Sequence, residues 1–305
     1  MKKQPIPYTI NSISDLHRLL GLPKPLHPLV SVIDMSGINC HFDDNLKSVI
    51  YNFYSICIKK GFKGKMKYGQ NYYDFDEGTM TFFSPSQVIS TVVDNDIALN
   101  GWWLVVHPDF IRNYTLGKSI TTYGYFSYAV NEALHLSEKE EITITSIMQH
   151  IAVEYQTMID NFSQDVMVSQ IEVLLNYCNR YYNRQFITRK NASNELLIKL
   201  ESLLTDYFNS GQVQHSGLPT VQYLSSQLNV SANYLSDMLR SLTGHSTQHH
   251  IHDKLIERAK EILTSTTYSV SEIAYQLGFE YPQSFSKLFK NKTNVSPLAF
   301  RSSFN

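Results

Sequence analysis

The sequence predicts an α+β protein of two domains: a β-rich N-terminal domain with a helical extension, then an all-α C-terminal domain. Three observations carry this reading. Short apolar runs rich in β-branched and aromatic residues occupy residues 28 to 108. From about residue 127 the apolar residues recur every three or four positions. The last 85 residues hold an internal repeat. A chain of 305 residues is long enough for about two domains. With 43% hydrophobic and 12% aromatic residues it can bury a core in each, which excludes a mainly disordered chain.

In the N-terminal part, Leu29 to Ile33, Ile50 to Ile58, Thr79 to Phe83 and Leu99 to Val106 read as strands, with Gly61, Gly64, Gly69, Gly78 and Gly101 as punctuation. So many short strands in so short a stretch suggest a small barrel or sandwich. Two amphipathic helices follow. Ile142, Ile144, Ile147, Met148, Ile151 and Tyr155 mark the first, and Val166, Val168, Ile171, Leu174, Leu175 and Cys178 the second. These helices either form a dimer surface or cover the β-domain. The polar stretch Arg189 to Asn194 reads as a linker. Ser193 is expected to cap a helix running through Leu196, Leu200, Leu204 and Phe208 to a stop at Asn209-Ser210-Gly211. The expected division is therefore 1–126, a helical dimerisation or linker segment 127–190, and 191–305.

The repeat needs no alignment to be seen. Val221, Leu224, Leu228 and Val230 recur as Val270, Ile273, Leu277 and Phe279 at an offset of 49. Leu235, Met238, Leu239, Thr243 and Ser246 recur as Phe285, Leu288, Phe289, Thr293 and Ser296 at an offset of 50. The extra residue falls just before the second helix of each pair, where a turn absorbs it. Each copy has the pattern of a helix-turn-helix: a short helix, a tight turn at Asn229 or Gly278, and a second helix packing crosswise. Ser269 and Glu272 fit a capping box, and Thr220 and Ser231 fit N-caps. Between the copies, the sixteen residues His249 to Thr264 make a rod of about 24 Å. With flanking packing, that rod holds two recognition helices within reach of adjacent major grooves, about 34 Å apart.

Composition limits the alternatives. Lys and Arg number 26 against 27 Asp and Glu, a net charge of −1, so any nucleic-acid function rests on a local patch. No run of about 18 apolar residues occurs, so no ordinary membrane-spanning helix is expected. Lys2 and Lys3 are followed by no apolar stretch, so no signal peptide is expected. Cys40, Cys57 and Cys178 fit no zinc or redox spacing, and a cytoplasmic protein is the expectation. His41, His107, His135 and His150 are scattered, so no metal centre, cofactor or catalytic residue is assigned. His249 and His252 read as surface histidines. Tyr68, Tyr72, Tyr73, Trp102 and Trp103 read as strand core, and Lys63, Lys65 and Lys67 as a solvated edge. No effector-binding residue is assigned.

Ile273-Ala274, Leu277-Gly278-Phe279, Phe285, Phe289-Lys290 and Ser296-Pro297 through Arg301 resemble the C-terminal signature of AraC-family transcription regulators, over about residues 195 to 305. The layout before it is similar to that family's cupin-like regulatory β-barrel. The resemblance implies a double helix-turn-helix domain that binds double-stranded DNA across two adjacent major grooves. It also implies a small-molecule effector, a homodimer and a working relation with RNA polymerase. Asn294 stands where the family usually places glycine, and asparagine tolerates the same left-handed backbone. A rival of another class is a cupin-type metabolite-handling enzyme with an accessory helical domain.

With the apolar residues of each recognition helix facing inward, the second helix leaves Tyr281, Gln283, Ser284 and Lys287 for the groove, with Lys290 beyond. By the family pattern, Gln283 and Lys287 are the leading base readers, for adenine and guanine respectively. The first helix leaves Asn233, Ser236 and Asp237, with Arg240 further along. An acid there weakens phosphate attraction, so this helix is expected to be the weaker or more selective reader. After Glu280, Lys287, Lys290, Lys292 and Arg301 meet no acid in the sequence, a local patch able to neutralise a few phosphates. Affinity is expected to be modest and strengthened by dimerisation.

Overall fold

The structure, a computed structural model, describes residues 7–38, 48–59, 65–68, 71–74, 78–90, 100–157, 160–188 and 190–304. The chain divides into two compact units, Met1–Gln185 and Phe186–Asn305.

In the first unit the strands are β1 (Tyr8–Ile10), β2 (Val30–Asp34), β3 (Ser48–Tyr51), β4 (Tyr54–Lys59), β5 (Lys65–Tyr68), β6 (Asn71–Asp74), β7 (Thr79–Phe83), β8 (Val88–Ser90), β9 (Gly101–Val106) and β10 (Leu134–His135). The helices are α1 (Ile13–Leu19), α2 (Pro108–Ile111), α3 (Thr115–Ser119), α4 (Glu138–Gln156) and α5 (Ser163–Thr188). Strand β4 sits at the centre of an antiparallel five-stranded sheet of order β10-β7-β4-β9-β2. That place explains why Tyr54 through Ile58 are buried on both faces instead of alternating. On one face Ile33, Cys57 and Val105 meet Ile10, Val49 and Ile89 of the smaller sheet β1-β3-β8, with Ile13 and Leu16 of α1. The other face carries Met80 and Phe82. Met80 lies 3.8 Å, sulfur to sulfur, from Cys178 of α5, and the Phe82 ring packs on Tyr125 and Tyr182.

The helices α4 and α5 therefore cover the sheet, through Ile144, Met148 and Ile151 and through Val168, Ile171, Leu174, Leu175 and Cys178. Their outer faces keep exposed apolar side chains, among them Ile142, Val153, Val166 and Val173. Burial pushes the thiols of Cys57 and Cys178 up. Cys40 lies outside the described residues.

Two expectations change. Among the described residues the strands form three separate sheets of three, five and two strands, and they do not close into a barrel. The stretch Ile50 to Ile58 is two strands in two sheets and not one strand. The Asn52 backbone N–H donates to the Ile10 carbonyl at 3.2 Å and its side-chain amide to Asn11 at 2.7 Å. These bonds hold the chain on the small sheet while the fully buried Phe53 turns it into the large one. The second correction concerns 189–194. Helix α6 spans Lys190–Asn209, so this polar stretch is largely helical. The Ser193 hydroxyl is buried and donates to the Phe186 carbonyl at 3.1 Å, satisfying the last turn of α5 instead of capping α6.

The second unit holds α6, α7 (Gln212–Ser216), α8 (Val221–Gln227), α9 (Ala232–Thr243), α10 (Thr247–Ser265), α11 (Val270–Gln276), α12 (Pro282–Thr293) and α13 (Pro297–Ser302). Its core is drawn from one face of each helix, with Leu224, Leu235, Met238, Leu239, Ile251, Leu255, Ala259, Ile273, Phe285 and Phe289 all buried.

Phe53→Ala should destabilise the first unit by about 3–5 kcal/mol, the cost of emptying a filled aromatic site. The measurement is the urea midpoint of the first unit's transition; an unchanged midpoint contradicts the wedge role.

Candidate nucleic-acid interface

Local sequence builds the two helix pairs α8/α9 and α11/α12. In the first, the Thr220 hydroxyl accepts from the Tyr223 N–H at 3.1 Å and Ser231 accepts from Tyr234 N–H at 3.2 Å. Between them Asn229 takes φ 57°, which turns the chain. In the second, Ser269 and Glu272 close a reciprocal capping box at 3.2 and 2.7 Å, and these bonds hold the Glu272 carboxyl below its ordinary range. Gly278 turns the chain at φ 77°, and α12 opens on Pro282. The extra residue of the second copy lies between its turn glycine and the start of α12. Asn294 ends α12 in the left-handed conformation at φ 63°, as glycine does after α9 at Gly244.

The inward faces are fixed by packing. Leu235, Met238 and Leu239 are buried on α9. Phe285 and Phe289 are buried on α12, and the rings of Phe279, Phe285 and Phe289 pack tilted in succession at 5.5 and 5.8 Å between centroids. That leaves Gln283, Lys287 and Lys290 in one outward stripe of α12 by their spacing of four and three, with Ser284 beside them. Among the described residues, these four are exposed and enter no side-chain hydrogen bond or ion pair. Tyr281, at the N-cap, is 63% exposed.

On α9 the matching residues are differently placed. Asn233 is exposed. The hydroxyls of Ser236 and Thr247 lie 3.0 Å apart, so Ser236 faces α10 as well as solvent. Asp237 accepts from Arg240 at 3.1 Å, which offsets its negative charge within the helix.

The basic patch after Glu280 is smaller than its sequence count. The Lys292 ammonium donates to Asp253 at 2.7 Å and to Nε2 of His249 at 2.9 Å. Arg301 donates to the carbonyls of Leu263 and Tyr268 at 3.1 and 2.6 Å. Both are struts within the unit, and Lys287 and Lys290 remain the outward cations of α12. The reason is that a run without nearby acids says nothing about acids brought in by the fold.

The histidines do not converge. His41 is outside the described residues, His107 caps α2, His135 lies on β10 and His150 is exposed on α4. His249 stacks on His245 at 3.9 Å, while His252 meets Gln248 at 2.9 Å. Burial holds His250 below the ordinary imidazole range, and its Nε2 lies 3.0 Å from the Thr243 hydroxyl. Among the described residues, no group of three or more His, Cys, Asp or Glu is placed to hold a metal ion. Among them also, no helix is long and apolar enough to cross a membrane.

In the first unit, Trp103 packs against the core and donates its indole N–H to Ser55 at 2.7 Å. Trp102 is half-buried. Tyr68, Tyr72, Tyr73, Lys65 and Lys67 lie on the β5–β6 hairpin, whose side chains are not among those described; Lys63 lies outside the described residues. Sequence reasoning named no cavity, yet one of about 610 Å³ opens beside the end of α4 and the start of α5. Phe110, Tyr114, Tyr155 and Met167 line it together with Glu154 and Gln164. Its walls come from four separate stretches of chain, so no local signal marks it.

Comparison with known proteins places a helix-turn-helix domain on this unit: a family model of that description matches residues 224–303. The lactose operon transcription activator of Staphylococcus xylosus is 22% identical over 236 residues, covering 75% of this chain and 81% of that protein. The uncharacterized helix-turn-helix-type transcriptional regulator YfiF of Bacillus subtilis is 28% identical over 145 residues, covering 48% of this chain and 43% of that protein. Among solved structures, the C-terminal domain of AraT, a response regulator from Geobacillus stearothermophilus, is 29% identical. That match covers 35% of this chain and 84% of that one, with a TM-score of 0.31. The chain spans less than two thirds of the length of several curated relatives that it matches.

The two turn glycines differ in surroundings. A methyl group at Gly278 would stand 2.7 Å from the Val213 carbonyl oxygen, whereas Gly244 looks into open space. Gly244→Ala should cost about 1 kcal/mol from backbone strain alone, and Gly278→Ala about 2–3 kcal/mol. Thermal denaturation of the two variants side by side measures this, and equal losses would contradict the packing of the α11–α12 turn on α7.

Proposed function

We propose that this chain, whose residues 224–303 carry a helix-turn-helix domain of the AraC type, is a sequence-specific DNA-binding transcription regulator. The observation that carries the reading is the pair of capped helix-turn-helix units joined by α10, each with a buried inner face and a polar outer one. In this reading α9 and α12 enter two adjacent major grooves of double-stranded DNA. On α12, Gln283 pairs with adenine and Lys287 donates to guanine, while Ser284 and Tyr281 flank them and Lys290 neutralises a phosphate. On α9, Asn233 reads a base edge, and Asp237, oriented by Arg240, accepts from a cytosine amino group. Ser236 serves chiefly to seat α9 on α10.

The remaining assignments belong to the same proposal. Residues 191–305 bind DNA, 127–190 carry the outer helical faces on which two copies dimerise, and 1–126 form a cupin-like regulatory domain. That domain senses a small molecule, dimerises, or does both; the 610 Å³ cavity that it lines together with α4 and α5 supports an effector site. The protein acts in the cytoplasm, meets RNA polymerase at promoters, and is not an enzyme. The likeness to the lactose operon transcription activator supports the regulator reading.

The test is selection of bound genomic fragments by the full chain, followed by titration of the best fragment at two salt concentrations. A site with half-contacts one duplex turn apart and a salt slope of a few phosphates is the expected result. No enrichment, with and without a metabolite pool, overturns the reading. On the selected site Lys287→Ala should weaken binding on the order of tenfold, and Gln283→Ala should relax preference at one or two base pairs. Parental affinity and preference in both variants would refute the assignment of α12.

A further inference from the structure

The first two turns of α10 are gripped from two sides. Toward α9, the hydroxyl of the fully buried Thr247 meets Ser236 at 3.0 Å. One turn on, His250 meets Thr243 at 3.0 Å. Because the Thr243 hydroxyl donates to the Leu239 carbonyl at 2.8 Å, it accepts from the imidazole N–H. Toward α12, Lys292 spans the gap to Asp253 and His249 at 2.7 and 2.9 Å. An ammonium only donates, so His249 accepts through Nε2. Its ring in turn stacks on His245, in the loop that leaves α9, with centroids 3.9 Å apart and planes 12° from parallel. An unbroken line of contacts thus runs from the end of α9 through His245, His249 and Lys292 to the end of α12.

Lys292 cannot share the role of the outward lysines. It stands nine residues beyond Gln283, and at about 100° per residue that is half a revolution away from the groove-facing stripe. We infer that Lys292 is a positioning residue: by tying α12 to α10 beside the attachment of α9, it fixes the separation of the two recognition helices and so the spacing of the DNA contacts accepted. This rests on the DNA-binding reading above. A lysine is suited to the place because its three donors satisfy a carboxylate and an imidazole together, and its side chain is only 21% exposed.

The test uses the full chain and the operator it selects, with derivatives that carry one base pair more or fewer between the half-contacts, and a half-site duplex that keeps only the α12 contact. The parent should bind the altered spacings on the order of a hundredfold more weakly, because the second linked contact falls out of register. Lys292→Met, which keeps the stem and removes the ammonium, should bind the half-site as the parent does and discriminate between spacings less than about tenfold. Lys292→Arg should restore discrimination. If Lys292→Met fails to fold, Asp253→Asn removes the same ion pair from the other side and gives the same readout. A folded variant that keeps the parental ratio between spacings overturns the inference. So does one whose affinity falls by one common factor on all duplexes, the half-site included. If the parent selects no operator at all, the DNA-binding reading itself fails, and that outcome is separate from both.

Discussion

In the proposed reading, a recognition helix must bury one face firmly enough to be held and leave the other bare enough to read. In the C-terminal unit that requirement falls on α10. Ile251, Leu255, Ile256, Ala259 and Leu263 are buried along its length, so the rod takes packing from the pairs on either side of it. Its nineteen residues make a rod of about 28 Å. With α10 fixed, the short helices α8 and α11 need only a cap, a turn and two or three buried side chains each. They are too short to be stable alone and owe their helicity to this packing.

The first unit solves a different problem with the same means. A central strand buried on both faces needs a cover on each, and the small sheet with α1 supplies one while α4 and α5 supply the other. The inner stripes of α4 and α5 are spent on that cover. What remains outside, Ile142 and Val153 on one helix and Val166 and Val173 on the other, is apolar surface that the unit does not need for its own core.

The parts legible in the sequence were those decided locally. Asn229 and Gly278 announce left-handed turns by residue type, the family resemblance marks Asn294, and Ser269 with Glu272 announces a helix start, so both helix pairs are readable in the sequence. Features decided by distant partners were not. Nothing in Ile50 to Ile58 shows that Asn52 bonds to Ile10, so two strands read as one. Nothing after Glu280 shows that Lys292 meets Asp253, 39 positions earlier. A charge count sees neighbours in sequence, whereas an ion pair needs neighbours in space. At the N-terminus a local signal did exist: Ser12 caps α1 by accepting from the Asp15 N–H at 3.0 Å, yet so short a helix left little periodicity to notice.

The two copies of the repeat share their apolar positions, first-helix caps and left-handed turns, and differ in the residues they turn outward. Where one presents Asn233 and Asp237, the other presents Gln283 and Lys287, and an extra residue precedes the second helix of the later copy only. In the proposed reading, a duplex recognised by such a pair has two unlike halves, and turning it end for end presents a different sequence to the same helices. In that reading each chain has a heading on its site, because α9 and α12 cannot exchange places without changing the sequence they meet.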